Sequence, residues 1–66
     1  MKVKYDAEVD IMRIRFNDKP VSESDEEKAG IILDYDENGK VIGIEILDAS
    51  KKIINPKSVE YEIEGV

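Results

Sequence analysis

Residues 30–52, GIILDYDENGKVIGIEILDASKK, decide the fold of this chain. Two apolar runs rich in β-branched residues, 30–35 and 41–47, lie on either side of the turn sequence Asp-Glu-Asn-Gly at 36–39. Apolar side chains at every second position are typical of a strand with one buried face. Asn-Gly is a strong hairpin signal because both residues tolerate the positive φ of a type I′ turn. The stretch therefore predicts a central β-hairpin with a type I′ turn.

The same alternation predicts further strands outside this stretch. Residues 2–5 and 11–16 alternate polar with apolar side chains, and we expect these two segments to form a second hairpin. Residues 59–64 alternate Val, Tyr and Ile with Glu, which predicts a one-sided strand. Residues 21–29 carry few apolar side chains, so we expect an exposed edge strand or an irregular segment there.

A short helix is expected near residues 48–54. Asp48 is the predicted N-cap, and Asn55-Pro56 should end the helix. The fold class that follows is mainly β, with a small α+β fold as the alternative. We predict one small domain over residues 1–66, with an antiparallel sheet of about five or six strands built on hairpins.

Length and charge restrict the classes of function. The chain has 66 residues and no Cys, so it can form neither a disulfide nor a thiolate metal site. A chain this short buries a thin core, and we therefore expect a homodimer. The net charge of −6 makes nucleic acid an unlikely partner, because phosphate contacts dominate that kind of affinity. No apolar run is long enough to span a membrane, and a cytoplasmic location is expected.

One segment has the spacing of a calcium-binding loop. Asp34, Asp36, Asn38, Gly39 and Glu45 match the EF-hand pattern D-x-[DN]-x-[DN]-G-x₅-E without a mismatch. An EF-hand, however, requires a helix on each side of the loop, and the flanking β-branched runs favour strands. A structural hairpin turn is the favoured interpretation, and divalent-cation binding through the segment from Asp34 to Glu45 is the alternative.

Catalysis has little support in the sequence. The chain has no His, which removes the commonest general base at neutral pH, and its Ser residues therefore lack an activating partner. No glycine-rich phosphate loop or nucleophile-elbow pattern is present. We expect a protein that is not an enzyme and that has no catalytic residue and no cofactor.

Four cationic side chains form the candidate interaction face. Lys2, Lys4, Arg13 and Arg15 should share one face if the first two strands pair. They would then suit an acidic partner protein or a small nucleic-acid contact. The alternative, which we favour, is that the glutamates of residues 59–64 lie beside this face and neutralise it through cross-strand pairs.

The chain resembles a family of small prokaryotic proteins known as domain of unknown function 2283. The resemblance covers residues 1–52, which form the family-like core, and leaves 53–66 as a C-terminal extension containing the predicted strand. It lies in Tyr5-Asp6, Glu8, Asp10, Ile14-Arg15, residues 30–36 and, most specifically, residues 43–50, GIEILDAS. The resemblance implies a compact β-rich fold and no established activity. Some members look like partners of small toxin-like proteins. The leading hypothesis is therefore a non-enzymatic protein-interaction module, with an antitoxin-type role implied only by the resemblance.

Overall fold

A single antiparallel sheet forms most of the structure. The computed structural model describes residues 1–65. Its strands are β1 (Lys2–Asp6), β2 (Ile11–Arg15), β3 (Glu23–Lys28), β4 (Ile31–Tyr35) and β5 (Val41–Leu47), and they are followed by the helix α1 (Ala49–Lys52). The strand order is β1-β2-β5-β4-β3, so β5 is the central strand while β1 and β3 are the edges. The predicted mainly β fold, with its hairpins and one short helix, is confirmed.

The register of the strands gives the sheet an apolar and a polar face. Residues directly opposite each other in antiparallel strands project their side chains to the same face. One row across the sheet pairs Val3 with Ile14, Ile14 with Ile44, and Ile44 with Leu33. The next row on that face contains Tyr5, Met12, Ile46 and Ile31. The apolar residues at alternate positions of the strands therefore form the apolar face.

The core is small. Met12, Ile42 and Ala49 are the buried apolar residues among those the structure describes, and Ile42 is the most completely enclosed of the large side chains. Most other apolar residues of the strands are half-buried. Within residues 1–65, one short helix and the segment after it accompany the sheet, so these residues form no complete second layer over the apolar face.

The turn between β4 and β5 differs from the predicted type. Gly39 has φ +78°, but Asn38 does not have the positive φ that a type I′ turn requires. Instead, the Gly39 N–H donates to the Asp36 carbonyl (3.0 Å), and the Asp36 carboxylate accepts the N–H groups of Asn38 (2.9 Å) and Lys40 (3.0 Å). This is the longer hairpin loop in which a single residue, here Gly39, is left-handed. The hairpin is confirmed, whereas the type I′ turn is wrong because Asp36 stabilises the longer loop.

Residues 21–29 contain the edge strand β3. All six of its residues are exposed, and it pairs with β4 across a register shift between Glu26 and Lys28. A strand can form here without an apolar stripe because β4 supplies the ladder of hydrogen bonds and the charged side chains remain in water. The edge-strand prediction is confirmed.

The cap of α1 differs from the prediction. Asp48 occupies the N-cap position in a left-handed conformation (φ 50°, ψ 48°), and its side chain makes no capping hydrogen bond. Asp10, at the end of the β1–β2 turn, takes that role. Its carbonyl accepts the Ala49 N–H (2.9 Å), and its carboxylate accepts the Ser50 N–H (2.9 Å) and the Ser50 hydroxyl (2.6 Å). The helix is therefore fastened to the first hairpin, and it ends at Lys52 rather than at residue 54.

The predicted strand over residues 59–64 is wrong for this chain on its own. Residues 53–65 contain no strand. The apolar side chains of Val59, Tyr61 and Ile63 are 62%, 73% and 72% exposed. A strand requires a neighbour for its backbone groups, and the chain does not provide one here. The last residue of the predicted extension, Val66, lies outside the described residues.

No helix in the described part of the chain is long and apolar enough to cross a membrane.

Replacing Ser50 by Ala should weaken the link between α1 and the first hairpin. The substitution removes the hydroxyl that donates to Asp10, and a net loss of about 1 kcal/mol in the free energy of unfolding is expected. Urea denaturation measures this change. Hydrogen bonds from Ser50 and Tyr5 hold the pKa of Asp10 below its ordinary value, so the variant should also show a higher Asp10 pKa by carboxyl-carbon NMR.

Ser58→Ala is the matched control, because Ser58 is exposed and its hydroxyl makes no hydrogen bond within residues 1–65. Equal stabilities of the two variants, with an unchanged Asp10 pKa, would contradict the proposed capping role.

Candidate functional site

The structure brings the four predicted cationic residues together on the polar face. Lys2 lies opposite Arg15, and Lys4 lies opposite Arg13, in the β1–β2 register. These four residues are called the basic strip below. Both lysines are exposed on the edge strand, whereas both arginines are half-buried on β2. Like charges directly opposite each other are unfavourable, so the strip has an electrostatic reason to accept a negative group.

Neutralisation of the basic strip inside the chain is slight. Arg13 makes an ion pair with Glu45 of β5 (Nε to Oε1, 3.4 Å). Within residues 1–65, Lys2, Lys4 and Arg15 make no ion pair. The neutralisation predicted from Glu60, Glu62 and Glu64 is absent in residues 1–65, because these residues do not form a strand beside β1. Three of the four cationic side chains are therefore without a counter-ion in the described chain.

Arg15 is held in place by the loop after β2. Its Nη2 donates to the carbonyls of Lys19 (2.5 Å) and Asn17 (3.3 Å). Its Nε is buried and has no hydrogen-bond partner in the described residues. Because Nε is buried and Nη2 already donates to two carbonyls, an external carboxylate would bind the Nη1 end of the guanidinium, for which no hydrogen bond is found within residues 1–65.

Two carboxylates adjoin the basic strip on the central strands. Asp34 of β4 is only 4% exposed, and the Ser24 hydroxyl donates to its Oδ1 (2.6 Å). Asp34 lies opposite Gly43, two residues from Glu45 on the same face. Burial, followed by the proximity of Asp34, raises the pKa of Glu45, and Arg13 opposes this effect. The polar face is therefore basic towards the β1 edge and acidic towards β4.

Gly43 makes this close arrangement possible. A Cβ atom at this position would lie 3.0 Å from the Arg15 Cδ, 3.0 Å from the Ile14 carbonyl oxygen and 3.3 Å from Asp34 Oδ2. Arg15 and Asp34 thus approach each other across the one residue of β5 that has no side chain. Any other residue at position 43 would force them apart.

The residues of the calcium-loop pattern are used in other ways. Asp34 accepts a hydrogen bond from Ser24, Glu45 pairs with Arg13, and the Asp36 carboxylate binds the backbone of its own turn. Lys19 Nζ lies 3.7 Å from Asp36 Oδ2. No group of three or more acidic side chains in the described chain is arranged to hold a metal ion. The segment is therefore a hairpin turn, as the favoured interpretation predicted.

Sequence reasoning missed a second cluster, formed by Tyr5, Asp10 and Ser50. The Tyr5 hydroxyl donates to Asp10 Oδ1 (2.7 Å), and this hydrogen bond is the main reason why the pKa of Tyr5 is raised. Ser50 is 40 positions from Asp10 in the chain, so no local pattern could have revealed the contact. These hydrogen bonds attach α1 to the first hairpin, and this is the structural role of the cluster.

Comparison with known proteins places the chain in a family. The model of a family described as protein of unknown function (DUF2283) matches residues 2–50. The chain belongs to this family. The predicted resemblance is confirmed, and the match ends within α1, before the C-terminal segment.

A curated relative comes from the archaeon Methanocaldococcus jannaschii. This uncharacterized protein is 41% identical over 51 residues, which are 77% of the present chain and 43% of the relative. The chain therefore spans less than half the length of that relative. No solved structure matches the chain.

Gly43→Ala should be destabilising because the added Cβ would meet the Arg15 side chain and the Ile14 carbonyl oxygen of β2. Forcing one carbon into such a site costs about 1–3 kcal/mol. Urea denaturation should show this loss, whereas Ser58→Ala, at an exposed position whose hydroxyl makes no hydrogen bond within residues 1–65, should change stability little. A Gly43→Ala variant as stable as the wild type would show that Arg15 and Asp34 separate easily.

Glu45→Gln should become more stable relative to the wild type as the pH rises. The raised pKa means that the folded chain holds the Glu45 proton more tightly than the unfolded chain does. The wild type therefore loses stability as the pH rises from about 4, the ordinary glutamate pKa, through the raised value. Glutamine does not titrate, so the unfolding free energy of the variant should increase relative to that of the wild type as the pH rises.

Denaturation series between pH 4 and 7.5 test this expectation. Glu8→Gln is the control, since Glu8 is exposed on the β1–β2 turn. A Glu45→Gln difference that stays constant with rising pH would mean that the Arg13 ion pair cancels the effects of burial and Asp34, and a shift towards the wild type would mean that it outweighs them.

Proposed function

We propose that the chain is a non-enzymatic protein-interaction module whose basic strip binds an acidic, extended segment of a protein. The observation that carries this proposal is the local charge. Four cationic residues lie side by side on the edge half of the sheet, although the chain as a whole has a net charge of −6. Such a patch attracts a negative segment at short range while the rest of the surface repels acidic molecules.

The position of the basic strip supports an extended ligand. Lys2 and Lys4 project from an edge strand, and the backbone groups on the outer side of β1 have no strand partner within residues 1–65. Edge strands bind peptides by adding them to the sheet, with main-chain hydrogen bonds supplying affinity and alternate side chains supplying specificity. A ligand with a negative side chain at every second position would match Lys2 and Lys4.

The antitoxin-type role implied by the family resemblance is one setting for this contact. In that setting, a toxin-like partner would present the acidic segment. We also propose that the chain forms a homodimer. The small buried core and the exposed apolar residues Val3, Phe16 and Ile54 support it, because a second copy would cover apolar surface that a single sheet leaves in water.

Reversing the charge of the strip lysines should weaken the binding of an acidic peptide. The probe is a synthetic eight-residue peptide that alternates Glu with Val, compared with one that alternates Gln with Val. Amide shifts in β1 and β2 should report binding of the Glu peptide. The double variant Lys2→Glu/Lys4→Glu should bind it about tenfold more weakly than the wild type does, since each cross-strand charge pair contributes about 0.2–1 kcal/mol. Added salt should weaken the wild-type complex.

The matched control is Lys28→Glu/Lys40→Glu, which makes the same change in net charge at two exposed positions away from β1 and β2. Its affinity should stay within about twofold of the wild type, allowing for the small long-range effect of net charge. Equal losses in both double variants, or equal binding of the Glu and Gln peptides, would contradict recognition by the strip.

A further inference from the structure

The C-terminal segment has the pattern of a strand but no strand partner. In residues 59–64, VEYEIE, apolar and glutamate side chains alternate strictly. These six residues are called the tail below. Its three apolar side chains are 62–73% exposed, and the tail makes no β-ladder within residues 1–65. Three large apolar groups on one side of an extended segment are typical of a surface that another surface covers.

The sheet offers two edges for such a strand. An exposed edge presents a row of unpaired N–H and C=O groups and can accept an additional strand. The two edges differ in charge. β3 (ESDEEK) carries four acidic residues and one lysine, whereas β1 (KVKYD) carries two lysines and one aspartate. An acidic tail would be repelled by β3 and attracted by β1.

The alternation of charged and apolar side chains in the tail also matches that of β1. On β1, Lys2 and Lys4 lie on the polar face, while Val3 and Tyr5 lie on the apolar face. If the tail paired with β1, its glutamates could lie beside the lysines while its apolar residues extended the apolar face. The lengths agree as well, because five or six extended residues span about 17–20 Å.

The route of the chain places the tail close to this edge. Pro56, Lys57 and Val59 line one cleft together with Val3, Tyr5 and Met12, so the segment after α1 arrives at β1 over the apolar face. Within the single chain the tail nevertheless stays exposed and the β1 edge stays open. If two copies meet at their β1 edges, each tail begins next to the other copy's edge.

We propose that the tail of one chain adds to the β1 edge of a second copy, and that the exchange is reciprocal and forms a two-fold symmetric homodimer. This inference rests on the proposed function, since it identifies an acidic segment that the basic strip binds. Each tail glutamate would face the strip of the partner, and Val59, Tyr61 and Ile63 would be buried against the partner's apolar face. A reciprocal exchange closes on itself, so it ends at two copies.

A charge-swap experiment on the full-length chain tests the exchange. The strip variant carries Lys2→Glu and Lys4→Glu, and the tail variant carries Lys in place of Glu60, Glu62 and Glu64. Sedimentation should show a dimeric wild type, and each variant alone should be largely monomeric because like charges then meet at both contacts. An equimolar mixture of the two variants should restore a dimer, because both contacts in the mixed pair are again complementary.

Two control variants change the net charge equally at other exposed sites. Lys28→Glu/Lys40→Glu matches the strip variant, and Lys in place of Glu8, Glu23 and Glu37 matches the tail variant. Both controls should remain dimeric. NMR on a wild-type sample that mixes differently labelled copies should show contacts between the tail of one copy and β1 of the other.

Three outcomes would overturn the exchange: a wild type that is monomeric at 0.1–1 mM, a dimer that neither charge variant affects, or contacts between the tail and β1 within one copy only. The acidic peptide separates this failure from failure of the proposed function, because the tail variant leaves the strip open. If that variant binds the Glu peptide while the wild type is monomeric, the exchange is wrong and recognition by the strip stands. If the variant does not bind the peptide, recognition by the strip is wrong.

Discussion

Hydrogen-bonded pairing along both sides of β5 is the constraint on which the rest of the structure depends. β5 pairs with β2 on one side and with β4 on the other, and in this way it joins the β1–β2 hairpin to the β3–β4 hairpin. Its alternation places Ile42, Ile44 and Ile46 on the apolar face, while Gly43 and Glu45 lie on the polar face. A shift of one residue in either pairing would exchange the two sets and expose the isoleucines. The core and the polar face are therefore set by the same register.

Alternation predicted the central and first hairpins because it is a local signal of which side of a strand is buried, but it also predicted a strand over residues 59–64 that does not form within residues 1–65. The edge strand β3 was expected from its few apolar side chains, not from alternation. The features that sequence reasoning missed depend on contacts between distant residues or on one side chain that outweighs a rule. Asp10 caps α1 from 40 positions away, and the Asp36 carboxylate favours a longer turn than Asn38-Gly39 suggests.

The candidate site shows the same division. The common face of Lys2, Lys4, Arg13 and Arg15 followed from strand parity once β1 and β2 were paired. The carboxylates beside it did not, because Asp34 and Glu45 belong to a pattern that resembles a calcium loop. That pattern specifies spacing along the chain, whereas coordination depends on the curvature of the backbone. On extended strands, the same spacing places Asp34 beside Ser24 and Glu45 beside Arg13.

The two edges of the sheet differ in how well they resist unwanted pairing. An edge strand is protected when its side chains are charged, and β3 meets this condition with exposed residues along its whole length. On β1, Val3 is 40% exposed, and the two lysines repel only positive segments. An edge that combines apolar residues with one sign of charge excludes many segments and admits those of opposite charge and matching alternation. Under the proposed function, keeping Lys2, Lys4, Arg13 and Arg15 together in a chain with 16 acidic and 10 basic residues would make β1 the selective edge, because selectivity of this kind distinguishes a binding edge from a site of aggregation.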